Sequence, residues 1–356
     1  MKVIDMRSDT VTQPTVEMRR FMAEATVGDD VYQEDPSVVE LERLSAQLLG
    51  YEAGLFVSSG TMGNLVALLS HCQRGQEIIV ESQAHIYYYE VGGFAALGGL
   101  SVVTIPGDPR CQGYMDPDAI ARAIRSSNVH YPVTGLLCLE NSHNLGGGAA
   151  VTPQQTKAML AVTKEQGIPS HLDGARVFNS AAALGLPIDK VVAGIDSVQF
   201  CLSKGLGAPV GSVLVGSEEF IFHARRFRKM VGGGMRQAGI IAAAGIYALQ
   251  NHVERLVDDN RRAAQIAATL STKSGMKVVA PEVPTNIVLV NTEGTGHEAD
   301  SWVRALDSKG IVCGAMGQHL VRLVTHLDVT QDDVDYVCEC LAQLDVKQAF
   351  DTEKGK

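Results

Sequence analysis

The chain has 356 residues, 46% of them apolar and 20% charged. That mix excludes wholesale disorder and collagen-like structure, and the length exceeds what one core usually holds, so two lobes are expected. Its 40 acidic against 30 basic residues give a net charge of −10, which argues against nucleic acid or an anionic membrane surface as a partner.

Residues 1–7, Met-Lys-Val-Ile-Asp-Met-Arg, carry neither the apolar stretch nor the cleavage site of a secretory signal. The quietest apolar run, residues 238–249, falls short of the roughly 20 residues a membrane span needs. Seven cysteines without a Cys-x-x-Cys pair read as reduced, mostly buried thiols, and a cytoplasmic protein is expected.

In chain order, Asp35-Pro36-Ser37 opens a helix that carries Val38, Leu41, Leu44 and Leu48 near helical spacing and stops at Gly50. A short strand at 54–57 and a helix at 61–71 follow. Short apolar, β-branched runs at 77–80, 100–105, 135–139, 168–172, 197–202 and 212–215 predict further strands, separated in several places by helical stretches such as 153–166. This alternation predicts an α/β lobe with a mostly parallel sheet buried on both faces. Beyond Gly239 the texture becomes a long Ala-rich helix to about residue 270, broken near Asn251-His252, then strands at 286–290 and 320–324 and an amphipathic helix at 332–344. The expected division is a large lobe of residues 1–249 that includes the segment 1–35, a small α+β lobe of residues 250–350, and a charged tail, residues 351–356.

Three features carry chemistry. Lys204 leaves the C-terminal end of a strand into the turn Ser203-Lys204-Gly205-Leu206-Gly207, the edge at which open α/β sheets bind ligands. Desolvated there, a lysine can form a Schiff base; a surface lysine capping a loop is the blander account. Asp173 ends another strand, before Gly174-Ala175-Arg176. It suits the protonated nitrogen of a pyridine ring, or a plain salt bridge to Arg176. The third is Val57-Ser58-Ser59-Gly60-Thr61, where a helix start could hold a phosphate or simply be capped by a hydroxyl. Together, in this order on one lobe, the three describe a pyridoxal phosphate (PLP) enzyme with a lysine Schiff base.

His85, followed by three tyrosines, is a candidate to stack on an aromatic cofactor, His143 sits at a strand end, and His130 stands out in no way. His71, His223, His252 and His297 read as surface or helix residues. No zinc or EF-hand spacing is present, so no metal is expected. The basic run 224–229 reads as a solvated helix face. Arg236 opens a helix, where a cation opposes the dipole and suggests a bound anion. Arg322, inside an apolar strand, calls for a carboxylate partner, such as a substrate's.

The sequence resembles the L-threonine aldolases, fold-type I PLP enzymes, and among them the low-specificity bacterial group. The resemblance spans nearly the whole chain, through Arg7-Ser8-Asp9-Thr10-Val11-Thr12, Gly28-Asp29-Asp30-Val31-Tyr32, Ser59-Gly60-Thr61, Glu140-Asn141-Ser142-His143-Asn144, Asp173-Gly174-Ala175-Arg176, Leu202-Ser203-Lys204-Gly205-Leu206-Gly207, Gly232-Gly233-Gly234-Met235-Arg236-Gln237 and Arg322-Leu323-Val324-Thr325-His326. It implies that Lys204 carries the cofactor, that Asp173 holds the ring nitrogen, and that His85 stacks on the ring. Ser59, Gly60 and Thr61 would bind the phosphate, with Arg236 reaching in from a partner subunit. Ser8, Arg176 and Arg322 would hold the substrate carboxylate, Arg176 also bordering the cofactor. His85 and His130 would contact the β-hydroxyl, one of them or a water serving as base, and Tyr32 would line a neighbouring subunit's site. Positions 58–62 read Ser-Ser-Gly-Thr-Met where many relatives have Thr-Gly-Thr-Gln, and Tyr89 is Phe in some members; both differences bear on substrate preference. The implied activity is reversible cleavage of L-threonine, L-allo-threonine and related β-hydroxy amino acids to glycine and an aldehyde by a homotetramer with shared sites. Its rivals are a hydroxymethyltransferase, a β-eliminating lyase, or a PLP-binding regulator without catalysis, although no added binding segment is found.

Overall fold

The computed structural model describes residues 2–344. The expected tail, residues 351–356, and the last residues assigned to the small lobe lie outside that range. The large sheet has seven strands: Ala53–Val57 (β1), Glu77–Glu81 (β2), Ser101–Ile105 (β3), Thr134–Glu140 (β4), Ser170–Asp173 (β5), Ser197–Cys201 (β6) and Ser212–Gly216 (β7). Their spatial order is β1-β7-β6-β5-β4-β2-β3. All the pairings are parallel except those of β7, which runs antiparallel to both neighbours. The expected mostly parallel α/β sheet is therefore present.

Helices cover both faces, which is why the central strands are apolar without alternation. Eight of them matter here: Pro36–Leu49 (α1), Gly60–His71 (α2), Pro153–Lys164 (α3), Val177–Leu184 (α4), Glu218–Met230 (α5), Gly239–Asn251 (α6), Leu256–Ser271 (α7) and Gln331–Gln343 (α8). Asp35 caps α1 through Ser37 and Val38, and Gly50 ends it at φ 78°, as the Asp-Pro…Gly pattern predicts. On one face of the sheet, Leu55, Val57 and Leu214 pack with Val66 and Ala67 of α2 and Ile221 and Ala224 of α5. On the other, Phe56, Phe200, Val213 and Val215 pack with Leu41 of α1, Leu160 of α3, Phe178 of α4 and Ala242 of α6.

The small lobe is an antiparallel sheet of Lys277–Val278 (β8), Ile287–Asn291 (β9), Gly314–Gly317 (β10) and Leu320–Val324 (β11), in the order β8-β9-β11-β10. Ala263, Ile266 and Leu270 of α7 and Val334, Val337 and Leu341 of α8 complete its core. The break expected near Asn251-His252 separates α6 from α7. Helix α7 starts in the large core at Leu256 and ends in the small one at Leu270, so a helix, not a flexible linker, joins the lobes.

One assignment changes. The segment 1–35 was expected to belong wholly to the large lobe. Instead Ile4–Asp5 pairs in parallel with Ile311–Val312, and Ile4 and Met6 lie in the small lobe's core. Two residues of strand carry too little pattern to be read from sequence. Among the described residues, no helix is long and apolar enough to cross a membrane.

The edge strand β1 lies directly on α1. Glu42 of α1 accepts from the Phe56 amide at 2.8 Å, and a Cβ at Gly54 would sit 2.6 Å from the Glu42 carbonyl oxygen. Backbone is in the way, so Gly54→Ala should destabilise the fold by about 1–3 kcal/mol, read as a lowered urea midpoint with unchanged slope.

Candidate functional site

The carboxyl ends of β1, β5 and β6 meet around a cavity of about 170 Å³. Lys204 and Ser203 reach it from the turn after β6, Asp173 from the end of β5, Gly60 and Thr61 from the start of α2, and His85 from the segment after β2. A larger groove, about 780 Å³, lies between α1 and α5 on the far side and is lined by none of these residues.

Asp173 is buried. Its carboxylate accepts from the Asn64 side-chain amide at 2.9 Å, the Gln199 side-chain amide at 3.1 Å and the Ala175 backbone at 3.1 Å. All three donors are neutral. The expected alternative, a salt bridge to Arg176, is absent, because Arg176 bonds Asp9 twice, at 2.7 and 2.8 Å. A buried carboxylate without a cation calls for one from outside the chain, and a protonated ring nitrogen facing the cavity meets that need.

At the start of α2, Ser59 caps the helix by accepting from Met62. Among the described residues the amides of Gly60 and Thr61 have no partner, as expected for the first turn of a helix. A Cβ at Gly60 would lie 2.9 Å from Cys201 Sγ, and one at Gly63 2.6 Å from Gln199 Cγ. These glycines let α2 press against β6, which sets its N-terminus at the cavity. Both the capping and the phosphate-holding accounts of Ser59-Gly60-Thr61 therefore fit the geometry. The donor set suits PLP: a lysine for the aldehyde, a carboxylate for the ring nitrogen, free amides for the phosphate, and an imidazole on the cavity wall. No geometry was needed to name these residues, but only the fold brings them together.

A second centre sits beside the cavity. Arg322 Nη1 donates to Asn144 Oδ1 at 3.1 Å and Nη2 to the Arg7 carbonyl at 3.0 Å, while its buried Nε has no partner. Burial and the nearby Arg176 charge both weaken the Arg322 cation, with Asp9 and Tyr89 opposing. Two neighbouring guanidiniums and one orphan N–H have the make-up of an anion site. Among the described residues no carboxylate hydrogen-bonds Arg322, so the one inferred from sequence would have to be a ligand's. Burial opposes ionisation of Asp9, but the charge and hydrogen bonds of Arg176, with Lys204 nearby, outweigh it and hold the carboxyl at about 2.

Other expected residues stay outside this chain's cavity. His130 stands on an exposed loop, its backbone amide bonded to Asn128. Tyr32 is 70% exposed. Arg236 pairs with Asp29 at 3.0 Å. Ser8 caps the turn Asp9–Val11. Arg176, with two of its nitrogens bound to Asp9, borders the anion site and does not line the cavity. His252, read as a surface or helix residue, is buried against the Leu206 carbonyl.

Sequence reasoning missed Asn64, Glu90 and Gln199 at the cavity and the role of Asp9. Glu90 accepts from Asn64 at 2.8 Å and lies 3.0 Å from His85 Nδ1. His85, Glu90 and Asp173 bring ligand-type atoms within 4.8 Å of one another, but Nδ1 and both carboxylates already have protein partners. A polar residue on the sheet-facing side of an apolar helix, such as Asn64, was the available signal. His143, singled out at a strand end, is fully buried and pairs with Glu81 at 2.8 Å.

Against known proteins, the model of the β-eliminating lyase family matches residues 5–293. Low-specificity L-threonine aldolase 1 of Arabidopsis thaliana is 43% identical over 96% of this chain and 96% of its own. The low specificity L-threonine aldolase of Escherichia coli K12 is 44% identical over 93% and 96%. The structure of a Leishmania major threonine aldolase superposes with a TM-score of 0.80 at 22% identity, covering 95% of this chain and 98% of that one; at that identity it speaks for the fold.

The Asp9–Arg176 pair has a pH signature. Asp9 titrates lower in the folded chain than its ordinary 3.8, so its stabilisation is complete above about pH 4 and is lost as pH falls toward 2. Asp9→Asn should cost about 3–5 kcal/mol at neutral pH by stranding Arg176. The stability gap to the parent, followed by urea unfolding, should narrow steadily from pH 4 to pH 2.

Proposed function

The chain belongs to the low-specificity L-threonine aldolase family within the β-eliminating lyases, and from that premise we propose that it cleaves L-threonine and L-allo-threonine to glycine and acetaldehyde with pyridoxal phosphate. The observation that carries the reading is the convergence of Lys204, the cation-less Asp173, His85 and the α2 N-terminus on one cavity. Lys204 would tether the cofactor aldehyde, Asp173 hold its ring nitrogen, His85 cover its ring, and Ser59, Gly60 and Thr61 hold its phosphate. When bound, the cofactor supplies an acceptor for the electron pair left on Cα.

The chain's own part is orientation and proton transfer. Arg322, with its orphan Nε, and Arg176 clamp the substrate carboxylate, assisted by Ser8. Fixing the carboxylate would orient the bonds at Cα, so that Cα–Cβ is the one presented for cleavage. His85 takes the β-hydroxyl proton, the O–H electrons form the aldehyde carbonyl, and the Cα–Cβ pair stays on Cα, where a returning proton gives glycine. His85 is the base assigned, since His130 stands outside this chain's own cavity. The reading extends to a cytoplasmic homotetramer in which Arg236, Tyr32 and His130 serve a neighbouring subunit; their exposure on this chain and the free state of all seven cysteines support it.

The test is a coupled assay for acetaldehyde and glycine from both threonine isomers, with 2-oxobutanoate and ammonia measured alongside. Lys204→Ala should abolish aldehyde release. Arg322→Ala should raise KM for threonine about 10–100-fold, as expected for a charged hydrogen bond of about 1.5–3 kcal/mol. 2-Oxobutanoate in place of acetaldehyde would overturn the assignment.

A further inference from the structure

Glu90 is 6% exposed. Its Oε1 is shared by His85 Nδ1 at 3.0 Å and Asn64 Nδ2 at 2.8 Å. The remaining Asn64 amide proton goes to Asp173, at 2.9 Å, so one amide bridges the carboxylate beneath the histidine and the carboxylate assigned to the ring nitrogen. That amide is fixed in turn. Its Oδ1 meets His171 Nε2 at 3.1 Å, His171 Nδ1 meets Ser197 Oγ at 2.9 Å, and Ser197 Oγ meets His71 Nε2 at 2.7 Å. Burial, with mutual repulsion, drops His171 to about 3, and burial drops His71 to about 4, so both imidazoles are neutral. Only one polarity satisfies the chain: His71 donates to Ser197, Ser197 to His171, His171 to Asn64, and Asn64 to the two carboxylates. Turning the Asn64 amide over would set its carbonyl against both of them.

The turn that brings Glu90 inward is held against its preference. Val91, β-branched, sits at φ 55°, a left-handed conformation that β-branched residues rarely adopt. His85 Nε2 has no partner among the described residues.

We propose that Glu90 is a positioning residue of the cleavage: it accepts from Nδ1–H of His85, fixes that tautomer, and leaves Nε2 as the atom that takes the β-hydroxyl proton. The inference rests on the aldolase reading and adds to it the carboxylate that orients the base. The charged and titratable groups facing His85 are Glu90 on its own segment, Glu140 at the end of β4 and Asp173 at the end of β5, with Lys204 on the cavity's other wall and the Tyr89 ring 5.5 Å away. Burial lowers the His85 pKa, but Glu90, Asp173 and Glu140 outweigh it and leave it raised. Removing the Glu90 charge therefore makes the imidazole easier to deprotonate.

The experiment is Glu90→Gln and Glu90→Asp in the holoenzyme, with pH profiles of kcat and kcat/KM for L-threonine and ¹⁵N NMR titration of His85. Glu90→Gln should lower kcat about 100-fold with KM within about threefold. Its acidic limb and the His85 titration should both move down by about one pH unit. Glu90→Asp should restore part of kcat with a limb near the parent's. A Glu90→Gln enzyme with an unmoved limb and an unmoved His85 titration overturns the proposal, whatever its kcat. If the parent itself releases no acetaldehyde, it is the aldolase reading that fails, while the His85 titration still decides whether Glu90 holds the ring.

Discussion

A buried carboxylate with no cation of its own governs this site. Asp173 is surrounded by three neutral N–H donors, each of which has to be brought to it by a different element: Asn64 by α2, Gln199 by β6, Ala175 by the turn after β5. The packing of α2 on β6 is close because Gly60 and Gly63 leave room for Cys201 and Gln199. The same approach sets the α2 amides at the cavity. One electrostatic need and one steric allowance thus organise the cofactor end, and the Asn64 bridge extends that organisation to Glu90 and His85.

The centre formed by Arg176 and Arg322 follows different logic. It is built from positive charges that the protein leaves incompletely matched. Asp9 satisfies Arg176 in a buried pair, and Arg322 is left with carbonyl-type acceptors and one bare N–H. A protein carboxylate at that position would satisfy the bare N–H and neutralise the charge. Leaving a buried guanidinium partly unmatched costs stability, a feature common at functional sites.

Much of this was legible before any coordinates. Strand ends followed by Lys204, Asp173 and Ser59-Gly60 stood out because polar residues at the close of apolar runs are conspicuous, and parallel α/β topology puts such ends on one edge. Helix α1 was readable from its Asp-Pro start and Gly stop. Asn64, Gln199 and Glu90 were not, since an amide inside an element or an acid in a turn looks like solvent-facing polarity until the fold shows which way it points. The pairing of Asp9 with Arg176 spans 167 positions, and no local pattern encodes such a distance. The two-residue strand Ile4–Asp5 lacked the length for periodicity to speak. Tyr32 and the site role of His130 were named from resemblance, Arg236 also from its place at a helix start, and a single chain gives them no cavity to enter.

The first dozen residues work as a stitch between the lobes. Ile4–Asp5 is sewn to the small lobe, the Asp5 carbonyl meets the His326 ring and the Arg7 carbonyl receives Arg322, and two residues later Asp9 is locked into Arg176 of the large lobe. Any rocking of the small lobe must therefore tug the same thread that spaces the two guanidiniums. Spacing of the two guanidiniums and seating of the small lobe become one mechanical coordinate, governed by a stretch of chain remote in sequence from both.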